Sequence, residues 1–566
     1  MSLKPRITPD RAVLLGLFLT AAVYCRDLQY DFILDDVALI LMNQNIASWR
    51  NWKMLFMTDA FFVQGAKVPI AMAAVHYRPI FMLWLMLNQQ LFGAVLPWWH
   101  LTSLLLHVAV VLLVYRLGSK MLKDQWAAAL AALLFAFHPI HVESVSYVSA
   151  STDLLVTLFL LVSFLSYARF REEGTGLGYL AAAVFAAALA MLSKETGAMI
   201  PWVLVAYEAL RDLPRGDSQW WRRYVWTLPF FAVVGVYAAV RTFLFGHNLG
   251  PGPGGSRLAA FADVPLVLIV YLRNLLWSFR LSFFYPAEWA SQWTILKAMG
   301  VVSTVIVATF LWRHYRDRPG VRLQLLWTAI LFVPPVVAVS TFVKEDWVHD
   351  RHMYLVSVPI CLIAAALLTD PKLPRKAAVI ASSLILVVLF GETAVQVPRF
   401  SDGISIYESA LKVAPQSALA HRYYAFALCS YGHYDDAFRE YRITTELQPH
   451  DPTAYGSYAE ALSEVGRDDD AAAEYTKALN LSPGPTPYRA FLLYRLAMIA
   501  SKNSRVKETE AYLREAVQIA PQAVSYHAIL AQALRQQGRT QEADEEMRLE
   551  LSVQKNQVSA DPAAMR

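Results

Sequence analysis

Apolar segments alternate with short polar stretches over the first 400 residues of the chain. Several of these segments are shorter than the roughly 20 residues needed to cross a bilayer, so we expect the helices to extend into the flanking polar residues. The pattern predicts a bundle of membrane-spanning helices. The thirteen segments cover residues 12–25, 78–95, 99–116, 126–137, 154–170, 177–192, 198–210, 224–245, 264–280, 294–312, 324–342, 354–369 and 376–396.

Basic residues predict the orientation of these helices, because loops rich in Lys and Arg lie on the cytoplasmic side. If every segment crossed, the basic clusters would fall on both sides, whereas about eleven crossings put all of them inside. This count treats 78–95 and 264–280 as helices in the outer interface. We therefore predict a cytoplasmic N-terminus and a C-terminal region in a bacterial periplasm or an equivalent lumen. The clusters lie at 116–123, 169–171, 211–223, 313–322 and 372–376.

The pattern changes after about residue 400, where prolines and glycines recur every 34 residues. These positions are Pro415, Pro449 and Pro483, together with Gly432 and Gly466. Gly538 lies 72 residues beyond Gly466, which is two periods with a small insertion around Pro485–Tyr488. A 34-residue period is typical of tetratricopeptide repeats, and such arrays offer a concave surface for peptides or proteins. The alternative is a docking or dimerising spacer.

Composition excludes an ordinary soluble globular protein, because 56% of residues are hydrophobic and only 17% are charged. The net charge of +5 lies largely in the cytoplasmic clusters, so it indicates topology and not nucleic-acid binding. The predicted fold class is therefore all-α. A polytopic membrane bundle over 1–398 precedes a helical solenoid over 399–555 and a disordered tail over 556–566. The three cysteines imply no disulfide framework.

Two adjacent carboxylates, Asp35 and Asp36, follow the first apolar segment, and Asp59 lies further along the same outer loop. Ionisable groups at membrane depth usually mark a functional site, because an unpaired charge is unfavourable there. The alternative is a helix cap, which is a common role for Asp at the start of a helix. The aspartates are therefore candidates for catalysis, and the cap interpretation stays open.

The second outer loop carries His138, His141 and Glu143 within six positions at the mouth of a membrane helix. All three side-chain types bind divalent cations such as Mg²⁺ or Mn²⁺, or a phosphate-bearing headgroup. A hydrogen-bonding role is the alternative, since His-Pro often ends a helix at an interface. The spacing alone does not separate a metal site from a structural one.

Further candidates for binding a phosphate lie in the later outer loops. Guanidinium forks match phosphate oxygens, although an interfacial Arg also snorkels to lipid headgroups without a specific role. An adjacent Lys and Glu can simply neutralise each other at a helix boundary. The candidates for the donor phosphate are Arg78, Lys194, Arg351 and His352, and Glu195 and Asp350 are candidate site residues of the same loops.

Taken together, these loops fit an enzyme that uses a lipid-phosphate substrate. Asp35 or Asp36 would remove a proton from an acceptor hydroxyl, and an Arg or a cation would stabilise the leaving phosphate. Neighbouring side chains on a helix point about 100° apart, so only one of the two carboxylates is expected to face the site.

The order of several motifs resembles the transmembrane-and-tetratricopeptide O-mannosyltransferases. The resemblance implies a GT-C membrane glycosyltransferase that transfers a hexose, typically mannose, with inversion from a polyprenyl-phosphate donor to Ser or Thr of exported proteins. It also implies that the family's acidic pair is Asp35 and Asp36, and that its outer-loop arginine is Arg351. The motifs are Leu34-Asp-Asp, Thr58-Asp-Ala-Phe, Tyr77-Arg-Pro, Trp99-His-Leu-Thr-Ser, Phe137-His-Pro-Ile-His-Val-Glu, Lys194-Glu-Thr-Gly and Asp350-Arg-His-Met-Tyr.

Three other functions stay open at the level of the sequence. The first is a non-catalytic membrane scaffold whose repeats assemble partners for envelope assembly. The second is a flippase for lipid-linked sugars, although that would place unusual charged residues on both membrane faces. The third is a transferase that uses a glycan or lipid acceptor, against which only the solenoid argues.

Overall fold

The computed structural model describes residues 8–61, 76–174, 176–211, 220–246, 264–286, 294–338 and 348–559. Over these residues the chain is helical and contains no strand, which confirms the predicted all-α class. It divides into two units, one ending at Val413 and the other beginning at Ala414. This division falls after the predicted boundary at 399, because the helix Gly403–Val413 packs on the turn Val397–Phe400 of the first unit.

The first unit is a multi-pass membrane bundle. Among the described residues, seven helices are long and apolar enough to cross a membrane. An eighth is formed if Gln125–Ala136 and Pro139–Ser146, which meet at a bend of 52°, make one span. Three further apolar helices are shorter, so the predicted total of about eleven crossings stays a prediction. The α-helices of this unit are Pro9–Tyr24, Pro79–Phe92, Leu96–Leu122, Gln125–Ala136, Val142–Ser146, Ser151–Glu173, Leu177–Ser193, Ile200–Leu210, Leu228–Phe245, Val264–Leu276, Thr294–His314, Pro319–Leu331, Val333–Ala338, Met353–Leu368, Arg375–Gln396 and Gly403–Val413.

Small residues hold the centre of the bundle together. The helix Gln125–Ala136 is rich in alanine and almost entirely buried against Leu96–Leu122 and Met353–Leu368. Gly118 permits the closest approach, since a Cβ at this position would lie 3.0 Å from the Cα of Ala128. Small residues at helix interfaces allow membrane helices to pack backbone to backbone. This core fixes the helix ends from which the candidate site residues extend.

The bend after Ala136 redirects the chain into the candidate site. His138 has an extended backbone, and its Nδ1 accepts a hydrogen bond from the Ile140 N–H at 3.2 Å, which caps the short helix that Pro139 begins. Proline suits the first position of a helix, because its missing N–H would be unpaired there anyway. The chain then enters Val142–Ser146, and this short helix carries Glu143.

The second unit consists of helical hairpins with the predicted tetratricopeptide period. Gly432, Gly466 and Gly538 each have a positive φ between +74° and +80° just after the first helix of a hairpin. This conformation favours glycine at a helix C-terminus. In the third hairpin Ser504, with φ of +57°, takes the corresponding place. The helices are Ala418–Ser430, Tyr434–Leu447, Pro452–Glu464, Asp468–Asn480, Pro487–Lys502, Val506–Ile519, Tyr526–Gln536 and Thr540–Ser559.

The extra residues of the third repeat lie where the spacing predicts. Asn480 and Pro487 are the last and first residues of consecutive helices, and the connection between them includes part of the segment Pro485–Tyr488. The last helix runs to Ser559, past the predicted start of the tail at 556, and the helix as a whole packs on Tyr526–Gln536. The rest of the predicted tail, 560–566, and the Gly-Pro-rich stretch 250–255 lie outside the described residues.

Candidate active site

The two adjacent aspartates of the first outer loop have opposite environments. Leu34, just before them, has a left-handed backbone with φ of +53°. This conformation is uncommon for a bulky side chain and is found at positions that the surrounding structure holds in place. Asp35 is exposed, whereas Asp36 is fully buried. The two carboxylates that follow the turn at Leu34 can therefore take different roles, since one is exposed and the other is buried.

Asp36 is held by hydrogen bonds on both oxygens. Its Oδ1 accepts from the Ser149 N–H at 2.7 Å and from the Ser149 hydroxyl, and its Oδ2 accepts from the Ile33 N–H at 3.3 Å. Burial raises the pKa of Asp36 to about 7, although the hydrogen bonds from Ser149 and Ile33 oppose this rise. Asp36 thus ties the first outer loop to the second and offers no free oxygen to a substrate.

Asp35 faces a cationic group instead. Its backbone N–H donates to the Tyr147 hydroxyl at 3.2 Å, and its carboxylate lies within electrostatic range of both Tyr147 and Arg351. The Arg351 guanidinium carbon lies 5.9 Å from the centre of the Tyr147 ring, a cation–π distance. Tyr147 therefore links the exposed carboxylate to the guanidinium group.

Glu143 fixes Arg351 in this position. Its Oε2 accepts from the Arg351 backbone N–H at 3.1 Å and its Oε1 from Nη1 at 3.0 Å. His349 Nδ1 lies 3.8 Å from the same Oε1. Over the described residues, Arg351 donates no hydrogen bond through Nε or Nη2. Its orientation is thus set by Glu143, while part of its fork stays available to an anion.

Two further ion pairs surround this centre. Arg78 donates through Nε and Nη2 to Glu195 Oε2 at 3.2 and 2.9 Å. Burial, the largest single influence, raises the pKa of Glu195, but the charges of Arg78 and His76 together with the hydrogen bonds to the carboxylate outweigh it and hold that pKa at about 2. Lys194 Nζ binds both oxygens of Asp153, at 2.6 and 2.7 Å. The charge of Arg351 reaches both Lys194 and Asp153, so the three ion pairs form one charged cluster.

The three cations differ in how far they are exposed. The Arg351 and Arg78 side chains keep 19% and 17% of their surface exposed, whereas Lys194 keeps 8%. A buried lysine held by both oxygens of one carboxylate has little freedom to rotate toward a ligand. The geometry therefore separates two accessible guanidinium groups from one structural ammonium.

The remaining residues of the last outer loop support Arg351. Asp350 is buried and accepts hydrogen bonds from Tyr285 Oη and Asn274 Nδ2, each at 2.8 Å. His352 Nδ1 lies 3.0 Å from the Tyr271 hydroxyl. Both neighbours of Arg351 are thus engaged with aromatic or amide side chains. These contacts help to hold the loop that carries Arg351, and His352 also lies within electrostatic range of Lys194 and Arg78.

His138, His141 and Glu143 do not form the metal site that their spacing allows. His138 Nε2 lies 2.9 Å from the Leu275 carbonyl oxygen, and His141 Nε2 lies 2.7 Å from Ser357 Oγ. Glu143 binds Arg351 instead. Within the described part of the chain, no three His, Cys, Asp or Glu side chains are grouped so that they could hold an ion. The hydrogen-bonding interpretation describes these histidines, because each is committed to a different helix.

Asp59 serves the backbone of its own loop. Its Oδ1 accepts from the Phe61 N–H at 2.8 Å, and its Oδ2 accepts from the His76 N–H. The Asp59 carboxylate is also within electrostatic range of Arg78 and Glu195. It therefore holds the two ends of a loop that leads into the Arg78 ion pair.

Three residues of the cluster were not among the candidates predicted from the sequence. Tyr147 and Ser149 are uncharged, and Asp153 lies at the start of a long apolar helix. All three belong to the loop and helix that follow His138. Their importance follows from the position of this loop and helix, which contact Asp36, Lys194 and Arg351 in three other loops.

The chain matches a family model described as dolichyl-phosphate-mannose-protein mannosyltransferase over residues 77–240. It is 32% identical over 203 residues to Protein O-mannosyl-transferase Tmtc2 of Drosophila melanogaster, which covers 34% of this chain and 21% of that protein. It is 25% identical over 492 residues to human Protein O-mannosyl-transferase TMTC1, which covers 76% of this chain and 54% of that protein. The crystal structure of ArnT from Cupriavidus metallidurans bound to undecaprenyl phosphate matches with 14% identity and a TM-score of 0.38, over 84% of this chain and 81% of that one.

These matches confirm the resemblance to the transmembrane-and-tetratricopeptide O-mannosyltransferases that the motifs predict. The chain spans only about a fifth to a half of the length of these two curated relatives. The segment matched by the family model contains Arg78, Glu143, Asp153, Lys194 and Glu195, and thus supplies most of the charged cluster.

Proposed function

We propose that this relative of the transmembrane-and-tetratricopeptide O-mannosyltransferases transfers a hexose, mannose in the first instance, to Ser or Thr hydroxyls of exported proteins. The donor is a polyprenyl-phosphate-linked sugar. The observation that carries the proposal is the exposed Asp35 carboxylate beside the partly exposed guanidinium of Arg351, joined by Tyr147. The names of the matched family and relatives support the same reaction class.

Asp35 acts as the general base in this reaction. It accepts the proton of the acceptor hydroxyl while the hydroxyl oxygen bonds to C1 of the sugar, and the C1–O bond to the donor phosphate breaks with its electron pair going to phosphate. A carboxylate suits this step only where it reaches the nucleophile. Asp35 is exposed, whereas both oxygens of Asp36 are already hydrogen-bonded.

Arg351 and Arg78 stabilise the leaving phosphate. Negative charge develops on the phosphate as the C1–O bond breaks, and a pre-positioned guanidinium stabilises that charge without further reorganisation. Glu143 and Glu195 hold the two guanidinium groups in place. Lys194, paired with Asp153, contributes positive charge to the cluster and does not contact the donor.

The repeats guide the protein acceptor, and the reaction takes place on the outer face of the membrane. The helical hairpins after Ala414 have the tetratricopeptide period, and arrays of this kind bind peptides. The basic clusters predict a cytoplasmic N-terminus and put the outer loops and the repeats on the opposite side, in the periplasm of a bacterial inner membrane. Nucleic acid has no place in this function.

Transfer by the purified full-length chain tests the proposal. Polyprenyl-phosphate donors carrying radiolabelled mannose, glucose or galactose would be offered with a mixture of exported proteins. We expect label in protein with one donor, released by β-elimination as an O-linked sugar. A chain ending at Val413 should bind the same donor but transfer less sugar to protein. Folded full-length protein that transfers none of the three sugars would contradict the proposal and favour the scaffold.

A further inference from the structure

A cavity of about 540 Å³ lies in the first unit, and it shares Arg399 and Ser409 with a smaller cavity that reaches Glu143 and Asp350. Its walls come from the turn around Phe279, the end of the long helix near Arg399, and the helix Gly403–Val413. Asp35, Arg78 and Arg351 do not line it. The proposed transferase reaction leaves this cavity without a role.

The charged groups of the cavity favour an anion. Arg280, Arg399 and Lys412 line it together with Ser405 and Ser409. The carboxylate on its wall, Glu408, pairs with Lys412 at 3.0 Å. Three cations against one carboxylate give the lining a formal charge of +2. A chamber with this net positive lining attracts negative charge. Its two hydroxyls already donate within the protein, from Ser405 to Asp402 and from Ser409 to the Ile406 carbonyl oxygen, so the cations are the groups that would bind an anion.

Neither arginine forms a direct ion pair within the described residues, although the Glu392 carboxylate lies within electrostatic range of Arg399. Over the described residues, no carboxylate oxygen lies within 4 Å of the guanidinium of Arg280 or of Arg399. Arg399 Nη1 donates to the Leu281 carbonyl oxygen at 3.1 Å, which orients the guanidinium group. The other N–H groups of Arg399 remain available to a ligand. Oriented guanidinium groups with free donors are the usual partners of phosphate oxygens.

The surroundings of the cavity fit the membrane interface. Arg399 lies at the end of Arg375–Phe400, a helix long and apolar enough to span a bilayer. Leu276, Trp277 and Phe279, next to Arg280, are all exposed. Exposed aromatic residues beside basic ones are typical of the headgroup level of a membrane. A phosphate carried by a lipid would reach the cavity from this side.

We propose that this cavity binds a phosphate group, with Arg280 and Arg399 as its principal ligands. Two sources share this chemistry, the headgroup of an anionic phospholipid and free phosphate, and the exposed aromatic row favours the lipid. Neither arginine is among the proposed donor ligands, Arg78 and Arg351, so the proposal does not depend on the transferase reaction. Glu408 limits its affinity, because the carboxylate competes with phosphate for Lys412.

Native mass spectrometry of the full-length chain in detergent tests this site. Phosphatidylglycerol, phosphatidylcholine and inorganic phosphate would each be added separately, and the dissociation constant of the first bound molecule measured. The combined Arg280→Gln and Arg399→Gln variant should weaken binding of phosphatidylglycerol at least about tenfold, since it loses two charge-assisted partners. The combined Arg375→Gln and Lys376→Gln variant, which removes two charges from the other end of the helix, should change it less than about twofold.

The Glu408→Gln variant should change the affinity for phosphatidylglycerol in the opposite direction. It frees Lys412, so binding should tighten by about threefold or more, a change that a merely destabilised protein would not show. Phosphatidylglycerol binding with this pattern would support a lipid ligand, and inorganic phosphate with the same pattern would support the site with a soluble ligand. Equal affinity in the wild type and the Arg280, Arg399 variant for every probe would overturn the proposal. So would binding of phosphatidylcholine as tight as that of phosphatidylglycerol.

Discussion

The Asp36 carboxylate accepts a hydrogen bond from the Ser149 backbone N–H at 2.7 Å, although 113 residues separate the two. The Ser149 hydroxyl binds the same oxygen. This contact joins the first outer loop to the second and leaves the neighbouring Asp35 to face Arg351. Asp36 therefore positions the loop that carries Asp35, the proposed base.

Ser149→Ala should weaken the contact between the two loops. It removes one hydrogen bond to a buried carboxylate and should lower the free energy of unfolding by about 1–3 kcal/mol. Transfer should fall as well, because the loop that carries Asp35 loses one of its anchors. Thermal unfolding of the full-length chain in detergent measures the first effect. Ser144→Ala is the matched control, since Ser144 is also buried and its hydroxyl has no hydrogen-bond partner within the described residues. Equal destabilisation by both substitutions would contradict the account.

Asp36 should make stability depend on pH. Burial raises the pKa of Asp36 to about 7 in the folded chain, against 3.8 as its ordinary value. Between these values the folded state keeps a proton that the unfolded state has lost, so the free energy of unfolding falls as pH rises, by about 1.4 kcal/mol per pH unit at most. The contribution levels off above about pH 7.

Chemical unfolding of wild type and Asp36→Asn between pH 4 and 8 tests this dependence. Asparagine keeps a carbonyl oxygen for Ser149 and has no proton to lose in this range. The difference in unfolding free energy between the two proteins should therefore shift in favour of Asp36→Asn as pH rises. A difference that stays constant across the range would show that Asp36 does not titrate as described.

Arg351→Lys should impair the reaction more than it impairs the fold. Lysine keeps the positive charge but lacks the fork that binds Glu143 and phosphate together. We expect kcat/KM for sugar transfer to fall about 100-fold, a size typical of losing one group that stabilises developing charge. Arg375→Lys, at an exposed position that begins another helix, is the control and should leave kcat/KM unchanged. A loss of less than about threefold in Arg351→Lys would argue against its role at the leaving phosphate.

Ser504→Gly should stabilise the third hairpin of the repeats. Ser504 has φ of +57° at the position that glycine occupies in the other hairpins, a conformation that disfavours residues with a Cβ. The substitution should raise the local free energy of opening by about 0.5–1 kcal/mol. Hydrogen exchange of the amides in Pro487–Lys502 and Val506–Ile519 in the full-length chain measures this. Gly466→Ser is the reciprocal change and should speed exchange in its own hairpin, so an effect of the same sign in both variants would contradict the explanation.

The repeats could be predicted from the sequence to within a few residues, because their signal is local. Glycine after the first helix of each hairpin is required by the backbone, so its spacing reports the period directly. A histidine contact recurs in the same way. His421 binds Glu440 and the Pro415 carbonyl, and His527 binds the equivalent Glu546 and Pro521. The boundary before the repeats was less certain, because Gly403–Val413 reads as a repeat helix but packs on the membrane unit.

Most charged residues of the candidate site could be predicted from the sequence, but the residue with which each one pairs could not. Charged residues near membrane helices are rare enough for Asp35, Arg78, Arg351 and Lys194 to be found by type and position. Their pairing depends on contacts between segments far apart in the chain, such as Lys194 with Asp153. The environments of Asp35 and Asp36 depend on the backbone of Leu34, which no local pattern specifies.

The histidines show the limit of spacing as evidence, since their spacing left a metal site and a hydrogen-bonding role both open. His138 and His141 have a spacing that metal sites use. This spacing carries no information about the Leu275 carbonyl oxygen, which lies at hydrogen-bond distance from His138 Nε2. A carbonyl 137 residues away decides the role of this side chain. Short motifs therefore identified which loops matter here, and tertiary contacts decided what each residue does.

The most direct test of the account is the rate of sugar transfer by Asp35→Asn compared with Asp36→Asn. Both variants would be purified as full-length protein and assayed with the donor and acceptor that the wild type uses, after thermal unfolding has shown that each is folded. The account predicts that Asp35→Asn loses at least about 100-fold in rate, the size expected for removing a general base. Asp36→Asn should stay within about tenfold of the wild type, because asparagine retains the bond to Ser149. Full activity in Asp35→Asn, with activity abolished in Asp36→Asn, would contradict the assignment of the base.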